Sequence, residues 1–94
     1  MRARIAGRSW TVEFGRVADL SSRAHWGECD PPTARHPRIT IRRSLKPRAM
    51  LMVTVHELLH ASFPHLSEAA VTESADEIAR VLYRLGARVT PPES

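Results

Sequence analysis

The chain is short, moderately hydrophobic and basic. Its 94 residues, 43% of them hydrophobic, favour a single domain over residues 1–94 built around one core. The lone cysteine, Cys29, excludes an intrachain disulfide framework, and no apolar run approaches the ~18 residues of a membrane span. Because the opening Met1-Arg2-Ala3-Arg4 leads into no apolar region of a secretory signal, we expect a cytoplasmic protein with no membrane partner.

Positive charge is concentrated in the first half of the chain. The net charge is +4, but residues 1–48 carry eleven Arg and Lys against four Asp and Glu, whereas residues 49–94 carry three against six. The last part of the basic half is dense enough to suit phosphate groups, through Arg38, Arg42, Arg43, Lys46 and Arg48. No interleaved aromatic residues accompany them, so a solvated basic face is favoured over nucleic-acid binding.

The first half of the chain predicts short strands. Residues 9–14 alternate between apolar and polar side chains, which is typical of a half-buried strand. Residues 17–20 are expected to pair with this strand across a turn at Gly15, and residues 38–42 alternate again. The intervening residues 27–37 contain three prolines and are predicted to be a surface loop.

Two helices are predicted to follow. Pro47 suits a first helical turn, and apolar residues continue at helical spacing as far as Ser62. A second helix is expected to begin at the N-cap residue Ser67 and to end near Gly86. Its predicted apolar stripe comprises Val71, Ala75, Ile78, Leu82 and Leu85. The expected fold is α+β, with a small N-terminal sheet of about three strands followed by these two helices.

The first of these helices carries the sequence His56-Glu57-Leu58-Leu59-His60. One helical turn separates the two histidines, so both rings can bind one metal ion. Glu57 then lies beside the ion, where it can take a proton from a metal-bound water. The pattern predicts a Zn²⁺ site with Glu57 as its catalytic base. The alternative is a pair of surface histidines that flank a solvated glutamate.

Tetrahedral zinc in a catalytic site needs a third protein ligand besides the two histidines. His65 lies five residues after His60, but zincins with a third histidine have a longer spacing and a glycine between them, so that pattern fails. The remaining candidates for the third ligand are Glu73, Asp76, Glu77 and Cys29.

The histidine motif, followed by a helix bearing Glu73-Ser74-Ala75-Asp76-Glu77, resembles the gluzincin arrangement of zinc peptidases, whose glutamate helix reads Glu-x-x-x-Asp. The resemblance implies that Glu73 is the third zinc ligand. It also implies that Glu77, in place of the aspartate, hydrogen-bonds a ligand histidine. Three further segments are Trp26-Gly27-Glu28-Cys29-Asp30, Ile39-Thr40-Ile41 and Leu82-Tyr83-Arg84-Leu85-Gly86. With them, the chain resembles small metallopeptidase-like proteins of phages and prophages and, distantly, minimal gluzincins and SprT-like and ImmA/IrrE-type zincins. Asp76 and Glu77 remain open as ligands.

The expected function is that of a zinc metallopeptidase acting on a peptide or protein. Glu57 would take a proton from water and pass it to the leaving amine. The nearest candidate to stabilise the oxyanion of the transition state is His65, although an exposed loop histidine is the simpler interpretation. The substrate is expected to add as a strand along an edge formed by residues 38–42.

A competing interpretation is a non-catalytic binding protein in which zinc only stabilises a small domain. Its basic N-terminal half would then dock on nucleic acid or an acidic partner. A structural zinc site is closed by four protein ligands, so Cys29 as a fourth ligand would favour this class. A different zinc hydrolase, such as a nuclease or an amidase, is a third possibility. Neither the substrate nor the oligomeric state follows from the sequence.

Overall fold

A computed structural model describes residues 1–92, which form one mixed sheet of four strands, two α-helices and a single 3-10 turn. The strands are β1 (Arg2–Ile5), β2 (Arg8–Gly15), β3 (Gly27–Cys29) and β4 (Arg38–Arg42), and the helices are α1 (Pro47–Ser62) and α2 (Glu68–Arg84). The order in the sheet is β1-β2-β4-β3, with β2 and β4 parallel and the other neighbours antiparallel. The chain therefore has the expected α+β fold.

The core lies between the sheet and α1. Trp10 and Val12 of β2 and Ile39 and Ile41 of β4 point to the same side of the sheet, where they pack against residues of α1 including Val53. This confirms the strands expected from the alternation of residues 9–14 and 38–42. Helix α2 packs against α1, so α1 is covered by the sheet on one side and by α2 on another.

The hairpin of β1 and β2 was not predicted from the sequence. Its turn is formed by Ala6 and Gly7, which both have positive φ angles, 50° and 79°. Two consecutive residues of positive φ match the right-handed twist of a tight hairpin, and glycine adopts this conformation without strain. Ala6 is not a residue that signals such a turn, so the sequence pattern alone does not reveal it.

Two predictions for the region between β2 and β4 are wrong. Residues 17–20 do not form a strand, because Val17–Asp19 is a 3-10 turn in which an Asp19 carboxylate oxygen accepts from the backbone N–H of Arg16 at 2.8 Å. Within the expected loop 27–37, the three residues of β3 pair with β4. So short a strand shows no periodicity that sequence analysis can detect. As a consequence, β4 lies inside the sheet and the edge on this side is β3.

Both helices begin where the sequence predicts. Pro47 occupies the first turn of α1, and the Ser67 side chain caps α2 by accepting from the backbone N–H of Ala70 at 3.1 Å. The buried face of α2 comprises Val71, Ala75 and Ala79. Two residues of the predicted stripe, Ile78 and Leu85, are instead exposed, because α1 covers only a narrow face of α2. Among residues 1–92, no helix is long and apolar enough to cross a membrane.

Candidate metal centre

The last two turns of α1 bring together the three residues of the predicted motif. Potential ligand atoms of His56, Glu57 and His60 all lie within 4.8 Å of one another. The two histidine Nε2 atoms are 3.2 Å apart and their rings meet edge to face. This arrangement follows from the helix, because a spacing of four residues puts both rings on one side of it. The motif therefore forms a cluster and not two separate surface histidines.

A second carboxylate reaches this cluster from α2. Glu68, the first residue of that helix, has one oxygen 2.9 Å from the His56 Nε2 and the other 2.8 Å from the His60 Nε2. Sequence reasoning missed Glu68 as a site residue. One signal was present: a connection of only five residues, 63–67, makes α1 and α2 antiparallel neighbours, so the first turn of α2 lies beside the last turn of α1.

The structure does not bring the expected ligand Glu73 to the histidines. It is exposed, and it lies about 140° around α2 from Glu68, because each helical residue advances about 100°. Asp76 is also exposed and pairs with Arg80 at 2.9 Å. Glu77, the acid expected to hold a ligand histidine, is exposed and does not line the pocket beside the cluster.

The spacing of the two histidine nitrogens suits a zinc ion. Zinc bound tetrahedrally at 2.0–2.1 Å holds neighbouring ligand atoms about 3.3 Å apart. The two histidine Nε2 atoms, 3.2 Å apart, match that value, whereas the two Glu68 oxygens lie at hydrogen-bond distance from them, 2.9 Å from His56 and 2.8 Å from His60. Imidazole nitrogen and carboxylate oxygen are also donor types that zinc takes in catalytic sites. The donor types of His56, His60 and Glu68 therefore fit Zn²⁺ as two imidazole nitrogens and one carboxylate.

Glu57 is buried beside this set, with 5% of its surface exposed. Burial, together with the negative charges of Glu68 and Glu28, raises the pKa of its carboxyl group to about 7, although His25 acts in the opposite direction. A carboxyl group with a pKa near neutrality can both accept and release a proton at physiological pH. A bound cation would favour the ionised form of Glu57 and so lower this pKa.

The edge strand β3 closes one side of the site. Gly27 faces α1 so closely that an added Cβ would lie 2.7 Å from Val53 Cγ1 and 3.2 Å from Glu57 Cγ. Only glycine therefore allows the strand to approach the helix at Glu57. The strand and the motif line the same pocket, together with residues of the segment before β3 and the start of α2.

One backbone edge of β3 is open. The residues just before and just after β3 are hydrogen-bonded to the strand β4. The Asp30 N–H donates to the Arg38 oxygen at 3.0 Å, and the Arg42 N–H donates to the Trp26 oxygen at 2.8 Å. Along an antiparallel strand, the backbone groups of successive residues alternately face the neighbouring strand and face away from it. The N–H and C=O groups of Gly27 and Cys29 therefore face away from β4. This edge, not residues 38–42, is the edge that lines the pocket.

Cys29 lines the pocket but is not one of the clustered ligand atoms. Burial, together with the negative charges of Glu57 and Asp30, raises the pKa of its thiol to about 12. The thiol points at a backbone carbonyl, with its Sγ atom 3.4 Å from the Asp30 oxygen. Cys29, the fourth ligand expected of a closed structural site, is thus not among the clustered ligand atoms of residues 1–92.

His25 and Glu28 form a pair in the wall of the pocket that sequence reasoning did not single out. The His25 Nδ1 lies 2.6 Å from a Glu28 carboxylate oxygen, which also accepts from the backbone N–H and the hydroxyl of Ser21. Burial alone would raise the pKa of Glu28, but the hydrogen bonds from Ser21 and His25 outweigh it and the pKa is lowered. Glu28 therefore stays ionised and holds the imidazole through Nδ1, while Nε2 makes no hydrogen bond to another residue of the range 1–92.

His65, the expected stabiliser of the transition state, lies elsewhere. It is exposed in the connection between the helices, and its ring meets that of Phe63 with centroids 6.4 Å apart. It does not line the pocket.

No protein-family model matches the chain, no curated protein matches it, and no solved structure matches it. The resemblance to zincins therefore stays a prediction from the sequence motif His56-Glu57-Leu58-Leu59-His60.

Proposed function

We propose that the protein is a zinc-dependent metallopeptidase with His56, His60 and Glu68 as its metal ligands and Glu57 as its general base. The observation that carries the proposal is the convergence of the Glu68 carboxylate on both histidine Nε2 atoms beside the buried Glu57. An ordinary surface salt bridge does not require a second, buried carboxylate next to it. A hydrolytic site does, because the base must lie beside the metal and not on it.

When bound, zinc would polarise the scissile carbonyl and lower the pKa of its water to around 7. The Glu57 carboxylate takes a proton from the attacking water and later delivers it to the leaving nitrogen of the peptide. Burial raises the pKa of Glu57 and a bound cation would lower it again, so in the loaded site the carboxylate is ionised and able to accept the first proton. Only 5% of the Glu57 surface is exposed, which limits the access of bulk water to this carboxylate.

An extended peptide is the proposed substrate, and β3 is its proposed binding strand. The outward backbone groups of Gly27 and Cys29 can pair with a substrate strand, as exposed sheet edges do in other peptide-binding proteins. His25 precedes β3 in the chain, lines the same pocket and is held by Glu28. We propose it, in place of His65, as the hydrogen-bond donor to the oxyanion. The proposed compartment is the cytoplasm, because the chain contains a single cysteine.

The test combines zinc content with peptide hydrolysis. Wild-type protein, Glu57→Gln and Glu68→Gln are purified without chelator, and zinc per chain is measured by mass spectrometry. We expect one zinc per chain in wild type and in Glu57→Gln, and loss of zinc in Glu68→Gln. A library of extended peptides should be cleaved by the wild type alone. Wild-type protein that binds no zinc, or a Glu57→Gln variant that retains full hydrolysis, would refute the proposal.

The second candidate is a zinc-stabilised binding protein, and the face of the sheet opposite α1 favours it. Alternation along the strands places Arg2, Arg4 and Arg38 on that face, with Arg2 and Arg38 flanking Thr11 in neighbouring strands. The proposed partner is nucleic acid or an acidic protein. Salt-dependent binding of duplex DNA that weakens in Arg2→Ala and Arg38→Ala, but not in Glu57→Gln, would support this candidate over the peptidase.

A further inference from the structure

Helix α2 has a second apolar face near its C-terminal end, outside the metal centre. Ile78, Val81 and Leu85 are 42%, 58% and 78% exposed. They lie within about 60° of one another around the helix, so they form one continuous seam. Val81 and Leu85, together with Arg84, also line a shallow depression. Three large apolar side chains aligned at the surface of so small a domain indicate a site of protein contact.

The C-terminal residues that the structure describes do not cover this seam. The chain leaves α2 at Gly86, which has a φ angle of 98°, and returns to the core. Val89 packs against the core between the sheet and α1, and the Pro92 carbonyl accepts from the guanidinium of Arg43, the residue after β4. Up to Pro92, the chain's own tail is therefore occupied elsewhere.

Charges beside the seam indicate which partner fits it. Glu77 and Arg84 lie about 40° and 60° from Val81, on the same side of it. Neither is in a salt bridge with another residue of the described range 1–92, although the neighbouring Asp76 and Arg80 pair with each other. The seam thus has an unpaired carboxylate, Glu77, near one end and an unpaired guanidinium, Arg84, near the other, within the described residues. A surface with this arrangement is complementary to a second copy of itself.

We propose that two copies of this chain associate through an antiparallel, twofold-symmetric pairing of their α2 helices. With Val81 at the symmetry axis, Ile78 of one copy faces Leu85 of the other, and Glu77 faces Arg84. The pairing buries all six apolar side chains and forms two equivalent salt bridges. Glu68 is thirteen residues from Val81, or about 20 Å along the helix, so the pocket remains open in the dimer.

The interface is small, so we expect reversible association with a dissociation constant in the micromolar range. Sedimentation equilibrium of the wild-type chain from about 5 to about 500 µM should show the mass rising from 10.6 kDa towards twice that value. Val81→Glu should remain monomeric throughout. Its fold is checked by circular dichroism, and it should be retained because Val81 is exposed.

A charge swap tests the antiparallel arrangement itself. Glu77→Arg and Arg84→Glu should each weaken the dimer at least about tenfold, because each places like charges opposite one another. The double variant Glu77→Arg/Arg84→Glu should return the dissociation constant to within a few-fold of wild type. Arg16→Glu changes the net charge as Arg84→Glu does, at a side chain that is 84% exposed elsewhere, and should have no effect.

Three results would overturn the proposal. The first is a wild-type chain that stays monomeric at the highest concentration, and the second is a dimer that survives Val81→Glu. The third is a double charge variant that remains as weak as the single variants. Zinc binding is not involved in any of these measurements, so their outcome is independent of the proposed activity.

Discussion

The Glu68 carboxylate lies 2.8 Å from the His60 Nε2 although the two residues belong to different helices. The contact depends on three local features: the end of α1 at Ser62, the short connection that follows, and the Ser67 cap that begins α2. Together they place the first side chain of α2 opposite the last histidine of α1. The site therefore lies where the end of α1 meets the start of α2. A shift of either helix end by a residue or two would separate the ligands.

Removing the Glu68 carboxylate should weaken zinc binding much more than removing Glu73. We expect Glu68→Gln to raise the zinc dissociation constant by about 100-fold or more, because an amide is a poor replacement for a charged ligand. Glu73→Gln is the matched control and should change it less than about threefold, because Glu73 is exposed on another side of α2. Competition titration against a chelating dye measures both. Equal losses, or a larger loss for Glu73→Gln, would contradict the ligand assignment.

Adding one methyl group at Gly27 should destabilise the protein. The new Cβ would lie 2.7 Å from Val53 Cγ1, so β3 and α1 must separate. We expect Gly27→Ala to lower the free energy of unfolding by about 1–3 kcal/mol, as measured by urea denaturation in the presence of chelator.

The double variant Gly27→Ala/Val53→Ala identifies the cause of that loss. Removal of the opposing methyl groups leaves room for the new Cβ, so the cost of Gly27→Ala should be at least about 1 kcal/mol smaller in the Val53→Ala background. Costs that add without interaction would show that the contact between β3 and α1 is not responsible.

Stability of the metal-free protein should depend on pH through Glu57. Its pKa is about 7 in the folded chain and 4.5 ordinarily, so the folded state binds the proton more tightly. The stability that this proton contributes is fully present below about pH 4.5 and is lost as the pH rises through about 7. Between those values the free energy of unfolding should fall by up to about 3 kcal/mol more in wild type than in Glu57→Gln. Parallel pH profiles of the two proteins, measured with chelator present, would refute this.

His25 is expected to act on turnover and not on metal binding. If the chain hydrolyses peptides as proposed, His25→Gln should lower kcat by about 10- to 100-fold, with KM and the zinc dissociation constant little changed. Glu28→Gln should act in the same direction but more weakly, because the imidazole loses its carboxylate partner. His65→Gln is the control and should leave kcat unchanged. Unaltered turnover in His25→Gln would remove this residue from the mechanism.

Local patterns predicted much of the fold. The alternation in β2 and β4, Pro47 at the start of α1 and the Ser67 cap of α2 are each encoded within a few residues. Strand β3 and the hairpin turn at Ala6 and Gly7 were missed, because three residues are too few for a periodic signal and alanine is not a typical turn residue.

The sequence by itself determined that His56, Glu57 and His60 lie together, because helical geometry fixes the relative positions of residues one turn apart. Only the tertiary structure decided that Glu68 and not Glu73 meets the histidines, and that β3 forms the edge beside them. Both outcomes depend on how separate elements pack. The local sequence around a carboxylate on α2 does not show whether it faces α1 or the solvent. The packing of the two helices decides which carboxylate faces α1.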